Sequence, residues 1–365
     1  MFLKDLGWNS YFDAMWQEFK DCGWAAARVV SQQRGLWRVA GDFAECWAAP
    51  SGKMREEADA GGAWPAVGDW VGVEVGGDEE RGILQHVLPR RSQFTRKAAG
   101  RRVDEQVIAA NVDTALLITA LDGDFNLRRI ERYLAQCWES GAKPVVLLNK
   151  ADRCADECGD VAARVAEVER IAMGTPVAAL SALTGHGVEA LDSFLVAGQT
   201  VVLLGSSGVG KSTLLNLLLG RERQAVGTVR KGDSRGRHTT TARELFALPG
   251  GALLIDTPGL RELQLWDAAE GVEQAFADIE ELAAQCRFHD CRHNGEPGCA
   301  VSAAMAAGQL DPARLENLRK LEREQGFLRR KIDPSAQQKE KQKNKVLHRG
   351  VRQMYERREK DGGRR

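Results

Sequence analysis

The sequence predicts a multidomain chain made of an N-terminal all-β barrel, a central α/β domain and a mainly helical C-terminal segment. Three observations carry that expectation. Residues 24–95 break into five short strand-like runs separated by turns. The run Asn149-Lys150-Ala151-Asp152 precedes the glycine-rich run 205–212, a reversal of the order usual for these two motifs. Three cysteines and two histidines crowd into residues 286–299.

The strand runs are 27–30, 35–39, 44–48, 69–75 and 82–88. In the fourth, Val71, Val73 and Val75 alternate with Trp70, Gly72 and Glu74, the period of a half-buried strand. Five short strands suit a small barrel, and their number does not choose between the OB and SH3-like kinds. Ahead of them, Trp8, Tyr11, Phe12, Trp16 and Phe19 fit a short helix packed on the barrel. Residues 56–63 read as a barrel loop. Trp37, Trp47 and Trp70 have the chemistry to stack on bases or to fill a core, and the core is the expected use. Arg90, Arg91, Arg96, Lys97, Arg101 and Arg102 follow the last strand. Contact with RNA phosphates and a solvated linker are both open for them.

Val145-Val146-Leu147-Leu148 reads as a buried strand that brings Asn149, Lys150, Ala151 and Asp152 to its end. A carboxylate at 152 accepts from N1–H and the 2-amino group of guanine, donors that adenine lacks in that arrangement. Asn149 is expected at the other edge of the base, with the stem of Lys150 along the ring. Ser181 and Ala182 end the next strand run, and a small residue at 182 lets its N–H reach the guanine O6.

Residues 201–204 read as a strand and 212–219 as a helix. Between them, Gly205, Ser206, Ser207, Gly208, Val209, Gly210, Lys211 and Ser212 match the phosphate loop in full. The glycines let the backbone curl with its N–H groups facing a phosphate chain, and the helix start adds unpaired N–H groups. Lys211 is expected on the β- and γ-phosphates, Ser212 on Mg²⁺, and Thr213 alongside in the first helical turn. Asp256, at the end of the apolar run 252–255, approaches Mg²⁺ from the other side, and Gly259 brings its N–H to the γ-phosphate. Between these lies Gly236-Arg237-His238-Thr239-Thr240-Thr241. One of its threonines completes the Mg²⁺ shell when a γ-phosphate is present; sequence does not choose among the three, and Thr240 is the candidate. These motifs together name GTP/GDP and Mg²⁺ as ligands. Their rotation predicts an ordinary nucleotide-binding sheet reached by an unusual path, because a parallel sheet can be cut at one loop and rejoined at another.

Cys286, Cys291 and Cys299 with one histidine supply three thiolates and an imidazole, the donor set of a closed tetrahedral zinc site. Spacing leaves His289 and His293 both open as the fourth ligand. Such a short segment buries little core, so one structural Zn²⁺ would supply much of its folding free energy.

The rotated motif order, the run 236–241, and the spacing Cys286-x4-Cys291-x-His293-x5-Cys299 with Glu296-Pro297-Gly298 before the last cysteine resemble the circularly permuted small-ribosomal-subunit biogenesis GTPases, the RsgA or YjeQ family. The resemblance covers roughly residues 1–330. It implies an OB-fold domain with an N-terminal helical extension over 1–100, a circularly permuted GTPase over 101–268, and a zinc-binding helical domain over 269–333, with a basic tail over 334–365. It selects His293 as the fourth zinc ligand. It further implies GTP hydrolysis stimulated by the small ribosomal subunit and its rRNA late in subunit maturation.

Many GTPases orient water with a glutamine directly after the Asp-x-x-Gly motif; Leu260 stands there and cannot. His238 is the candidate for that task, and contact with rRNA or solvent is its alternative. Lys211 and Thr240 complete the expected catalytic set. A second reading makes the chain an RNA-binding assembly protein that uses GTP as a structural or switch ligand without significant turnover. Residues 337–365 hold eleven Lys or Arg against four Asp or Glu. The whole chain has 51 of each sign, so RNA attraction must come from local patches. No apolar run reaches the roughly 18–20 residues that span a bilayer. With no signal peptide at its start, the chain is expected in the cytoplasm, as a monomer and away from membranes.

Overall fold

A computed structural model of the chain describes residues 2–33, 35–60, 62, 64–76, 81–97, 105–154, 159–220, 243–256 and 268–332. Its N-terminal part is a closed barrel of five strands: β1 (Ala25–Gln33), β2 (Leu36–Gly41), β3 (Cys46–Pro50), β4 (Trp70–Val75) and β5 (Arg81–Val87). The pairing runs β1-β2-β3-β5-β4 and closes β4 onto β1; β3 and β5 are parallel and the other pairs antiparallel. That closed five-stranded circuit is the OB pattern. Trp37 and Trp70 are buried in it, whereas Trp47 is half-buried.

Residues expected to form a barrel loop instead begin with a helix, α2 (Gly52–Asp59). Ser51 accepts from the Met54 N–H at 3.2 Å and caps it, and Met54 is buried against the barrel. The Ser cap and the helix-forming Glu56-Glu57-Ala58 account for the helix. Of the N-terminal aromatics, Tyr11, Phe12 and Trp16 stand on α1 (Ser10–Trp16), Trp8 just ahead of it and Phe19 in the 3-10 turn that follows, with the rings of Trp8 and Phe12 4.8 and 5.5 Å from that of Trp70.

A hairpin, β6 (Gln93–Lys97) and β7 (Glu105–Ala110), follows the barrel, so the boundary expected at residue 100 falls between its strands. Arg96 lies in the hairpin and Arg90 forms a bidentate pair with the fully buried Asp69, at 2.8 and 2.7 Å. Arg101, Arg102 and the basic tail lie outside the described residues.

The central sheet contains β8 (Thr114–Ala120), β9 (Lys143–Asn149), β10 (Val177–Ala179), β11 (Thr200–Leu204), β12 (Arg243–Ala247) and β13 (Leu253–Asp256). Its order is β10-β9-β8-β11-β13-β12, parallel except for β12. β8 is buried along its whole length, which is why the strand reads as a continuous apolar run. Connections leave β8 towards β9 and leave β11 towards β13. The crevice at their carboxyl ends is therefore a topological switch point, the place where such sheets bind ligands. Helices α3 (Leu127–Ser140) and α4 (Val161–Ile171) cross over between β8, β9 and β10, and α5 (Lys211–Leu219) follows β11.

The barrel and this sheet are hydrogen-bonded into one eleven-stranded array, because β12 pairs with β1, Ser31 opposite Glu244 and Gln32 opposite Arg243. Arg28 fastens the same seam. It is 1% exposed, and its guanidinium donates to the carbonyls of Gly68 (3.2 Å), Asn111 (3.3 Å) and Leu6, and to Thr200 Oγ1 (2.8 Å). Burial pulls its pKa down to about 10 against the raising influence of Asp113 and Asp69.

The C-terminal segment contains α6 (Ala269–Ala275), α7 (Ala277–Ala283), α8 (Ala300–Ala306) and the long α9 (Pro312–Ile332). It docks on α3. Gly271 lets α6 approach so closely that a Cβ there would lie 2.0 Å from the Ala135 carbonyl. Glu131 of α3, fully buried, accepts from Arg314 (2.8 Å) and Asn317 (2.6 Å) of α9.

Arg28→Met is expected to leave several buried oxygens without a donor and to lower unfolding stability by about 3 kcal/mol. Urea denaturation checks this; an unchanged midpoint would mean that the seam does not depend on the guanidinium.

Candidate nucleotide site and metal centre

β11 ends in the expected loop and α5 begins at Lys211, with Gly210 at the N-cap and no side chain capping the helix. The N–H groups of the first turn are therefore unspent on side-chain caps and point out of the helix start. Gly205 and Gly210 have φ of 146° and 99°. A Cβ at 205 would lie 2.2 Å from the Ile118 carbonyl, and one at 210 would lie 2.2 Å from Asn149 Nδ2. Ser207, Gly208, Ser212 and Thr213 are exposed on the outer side of the turn. Lys211 folds back over the loop, its Nζ donating to the carbonyls of Gly205 (2.7 Å) and Ser206.

The base-reading strand meets this loop. Asn149, 2% exposed at the end of β9, donates from Nδ2 to the Val209 carbonyl at 2.8 Å. Its Oδ1 accepts from the Ala182 N–H at 2.9 Å. One buried amide thus ties the ends of β9, β10 and β11 together. Both ends of its amide meet protein, contacts that come in addition to the base edge expected of Asn149. The Ala182 N–H, expected to reach O6, donates to Asn149 here. Ser181 is buried, and its hydroxyl accepts from the Thr184 N–H at 3.2 Å, shaping the turn. Asp152 is exposed one turn beyond Asn149, on the 3-10 turn Ala151–Arg153.

Lys150 adopts the left-handed conformation, φ 63°, and its Nζ meets Asp122 Oδ2 at 2.8 Å. Burial raises the Asp122 pKa, but the bond to Lys150 and the Asp124 N–H outweigh it and leave the carboxyl below its usual range. Asp122 and Asp124 follow the central strand β8 and stand at the switch point. Sequence reasoning passed over them, although an Asp-Gly-Asp run directly after a buried strand is a signal for a site loop. Asp256 closes β13 one residue beyond Ile255, which pairs with Val202. That register sets it across the sheet from the beginning of the phosphate loop. Ser212 and Asp256 are thus the described residues available to Mg²⁺. His238, the candidate Thr240 and its neighbours, Gly259 and Leu260 lie outside the described residues.

The second site lies between α7 and α8. Among the described residues, Cys286, Cys291, His293 and Cys299 bring their ligand atoms within 4.8 Å of one another. Cys286 Sγ is 3.9 Å from Cys299 Sγ, and His293 Nδ1 is 3.6 and 3.5 Å from these two sulfurs. Ligands at about 2.0–2.3 Å from a tetrahedral Zn²⁺ stand about 3.5–3.8 Å apart, so the donor set fits that ion. His293 reaches in because its backbone takes φ 58°. Glu296 accepts from the N–H groups of Arg292 (3.1 Å) and Asn294 (2.6 Å) and holds the ligand loop. Arg319 of α9 donates to the Arg292 carbonyl at 2.7 Å and the His293 carbonyl at 3.1 Å. His289, the competing ligand on spacing, is outside the cluster.

Comparisons with known proteins agree with this geometry. A family model described as RsgA GTPase matches residues 87–266. A small ribosomal subunit biogenesis GTPase RsgA of Opitutus terrae is 48% identical, over 96% of this chain and 97% of its own. That of Syntrophotalea carbinolica is 44% identical, over 96% of each chain. The crystal structure of YjeQ from Thermotoga maritima matches with TM-score 0.61 and 26% identity, over 83% of this chain and 98% of its own. YloQ, a circularly permuted GTPase, shares the fold with TM-score 0.58 at 23% identity, over 83% of this chain and 95% of its own.

Two predictions follow from the site chemistry. Asp152→Asn replaces an acceptor by a donor; GTP affinity is expected to fall at least about a hundredfold while xanthosine triphosphate binds better than GTP. Equilibrium binding of both nucleotides measures this, and undiminished GTP binding would remove Asp152 from base recognition. Cys291→Ser, or chelation, is expected to release zinc and unfold the segment around 286–299 while GTP affinity stays within about threefold. Zinc content, circular dichroism and GTP titration on one sample read the three quantities.

Proposed function

The chain belongs to the RsgA GTPases, and on that premise we propose that it docks on the small ribosomal subunit late in assembly, hydrolyses GTP there, and leaves as the GDP form. The observation that carries this reading is the meeting of the base strand and the phosphate loop at Asn149, which makes one nucleotide site from a rotated chain. The relatives named above are subunit biogenesis GTPases, and this chain matches nearly their full length.

The division of labour is 1–100 for the barrel and its helical extension, 101–268 for the GTPase, 269–333 for the zinc segment and 334–365 for the basic tail. The OB barrel and the tail are the RNA-facing parts. The zinc held by Cys286, Cys291, His293 and Cys299 is structural, since four protein ligands leave no position for chemistry.

In the site, Asp152 selects guanine. The N–H groups of the loop and of the α5 start, with Lys211, bind the triphosphate and stabilise charge on the transferring phosphoryl group. Ser212, Asp256 and Thr240 hold Mg²⁺, which supplies charge neutralisation when bound. Leu260 cannot orient water, so intrinsic turnover is slow, and His238 takes up that role on the subunit. Lys150 and Asp122 act from behind, fixing the base loop against the end of β8.

The test is GTP turnover titrated with purified small subunits, with large subunits, and with neither. Small subunits alone are expected to raise kcat, by about tenfold or more; His238→Ala is expected to abolish that rise while leaving subunit binding intact. Equal rates in all three conditions would favour the RNA-binding assembly protein that uses GTP without significant turnover.

A further inference from the structure

One side chain outside the expected motifs reaches the phosphate loop from a neighbouring helix. Arg129 stands in the first turn of α3, where Asn126 caps the helix by accepting from the N–H groups of 128 and 129 at 2.9 and 3.2 Å. Its guanidinium bonds both carboxylate oxygens of Asp124, one at 2.8 Å, and its Nη1 lies 2.9 Å from Ser206 Oγ. Ser206 is also the residue whose carbonyl accepts from Lys211 Nζ. Arg129 therefore grips the side chain of the residue whose main chain holds the lysine.

The preceding residue turns the other way. Arg128 bonds Glu131 Oε1 at 2.5 Å and pairs with Asp311, which directly precedes α9. The buried Glu131 receives Arg314 and Asn317 of that helix. Two consecutive residues of one helix thus serve the phosphate loop and the zinc-bearing segment.

We propose that Arg129 is a positioning residue for the phosphate loop, and that α3 makes its grip on Ser206 answer to the C-terminal segment through Arg128. The proposal deepens the functional reading above and rests on it for the identity of the nucleotide. The loop must hold its N–H groups and Lys211 where charge develops on the phosphoryl group, and displacements of about 1 Å there cost rate steeply. Most of the loop's N–H groups do not depend on Ser206, so loss of the grip affects turnover more than binding. A shift of α9 would reach the loop through the first turn of α3.

The test uses the full zinc-loaded chain and intrinsic GTP turnover without ribosomes, so a failure of ribosomal stimulation, which would sink the functional reading, is scored separately. Arg129→Gln and Ser206→Ala are each expected to lower kcat about five- to twentyfold with KM within about twofold, and the double variant to be no slower than the slower single one. Arg129→Lys, which keeps the cation, is expected to recover part of the loss. Arg128→Ala is expected to lower kcat severalfold in the parent chain and not in the Ser206→Ala background. Unchanged kcat, or effects of Arg129 and Ser206 that simply multiply, overturn the positioning role. An Arg128→Ala effect of equal size in both backgrounds overturns the relay. Should Arg129→Gln lose GDP binding through misfolding, the same cycle run with Arg129→Lys and Ser206→Ala decides the matter.

Discussion

Asn149 uses the two ends of a single amide to join three strand ends, and the nucleotide site depends on that junction. Its Nδ2 donates to the Val209 carbonyl and its Oδ1 accepts from the Ala182 N–H. Burial at 2% exposure makes each bond costly to lose, because either partner would be left without water. Gly210 is part of the same contact, since any Cβ there would press into the amide at 2.2 Å. None of these bonds is local in sequence. The chain can therefore be rotated, with the base strand first and the phosphate loop second, provided the parallel sheet still sets β9 and β11 on either side of β8.

The same sheet carries the barrel. Ordinarily a linked domain would be joined by a hinge, but here β1 continues the array beyond β12. On its other side β12 pairs with β13, Glu244 opposite Asp256, so the barrel is two strands away from a magnesium candidate. Arg28 deepens the connection. A buried guanidinium bonded only to neutral oxygens is an expensive group, and its depressed pKa records that cost. Its partners come from the N-terminal turn, the β3–β4 connection, the hairpin exit and the start of β11. Separating the barrel from the sheet would strand the Asn111 carbonyl and Thr200 Oγ1 and leave the buried guanidinium short of two acceptors, a cost that holds the seam closed.

How much of this was legible in the sequence depended on whether a feature is local. The phosphate loop, the strand runs before Asn149 and Asp256, and the cysteine spacing were readable because backbone curl, apolar continuity and ligand count are written within a few residues. The helix at 52–59 was not legible as such: it is two turns long with one buried residue, Met54, too little for an apolar period to show. The β6–β7 hairpin was hidden among arginines that looked like linker. The protein contacts of Asn149 were not legible because its partners, Val209 and Ala182, are 60 and 33 residues distant. Arg28, Glu131 and Arg129 gave no signal at all: a buried charge looks like a surface charge until the residue that meets it is known.

Glu131 shows why such charges are kept. The buried apolar residues of the C-terminal segment, Phe276, Val301 and Leu321 among them, belong to one core with Ile130 and Leu134 of α3, and hydrophobic contact, being non-directional, does not by itself choose one docking register. A fully buried carboxylate on α3 changes that. Any docking of α9 that fails to bring Arg314 and Asn317 to Glu131 leaves that buried carboxylate with Arg128 alone and takes from the buried Arg314 one of its acceptors, a costly loss in the interior. Gly271 adds a steric condition on the same interface. The segment thus has one acceptable register on α3, the helix whose first turn also touches the phosphate loop at Ser206. The C-terminal segment and the phosphate loop consequently meet on the same first turns of α3, where Arg128 and Glu131 face α9 and Arg129 faces Ser206, so a shift of α9 has a short and direct route to the phosphates.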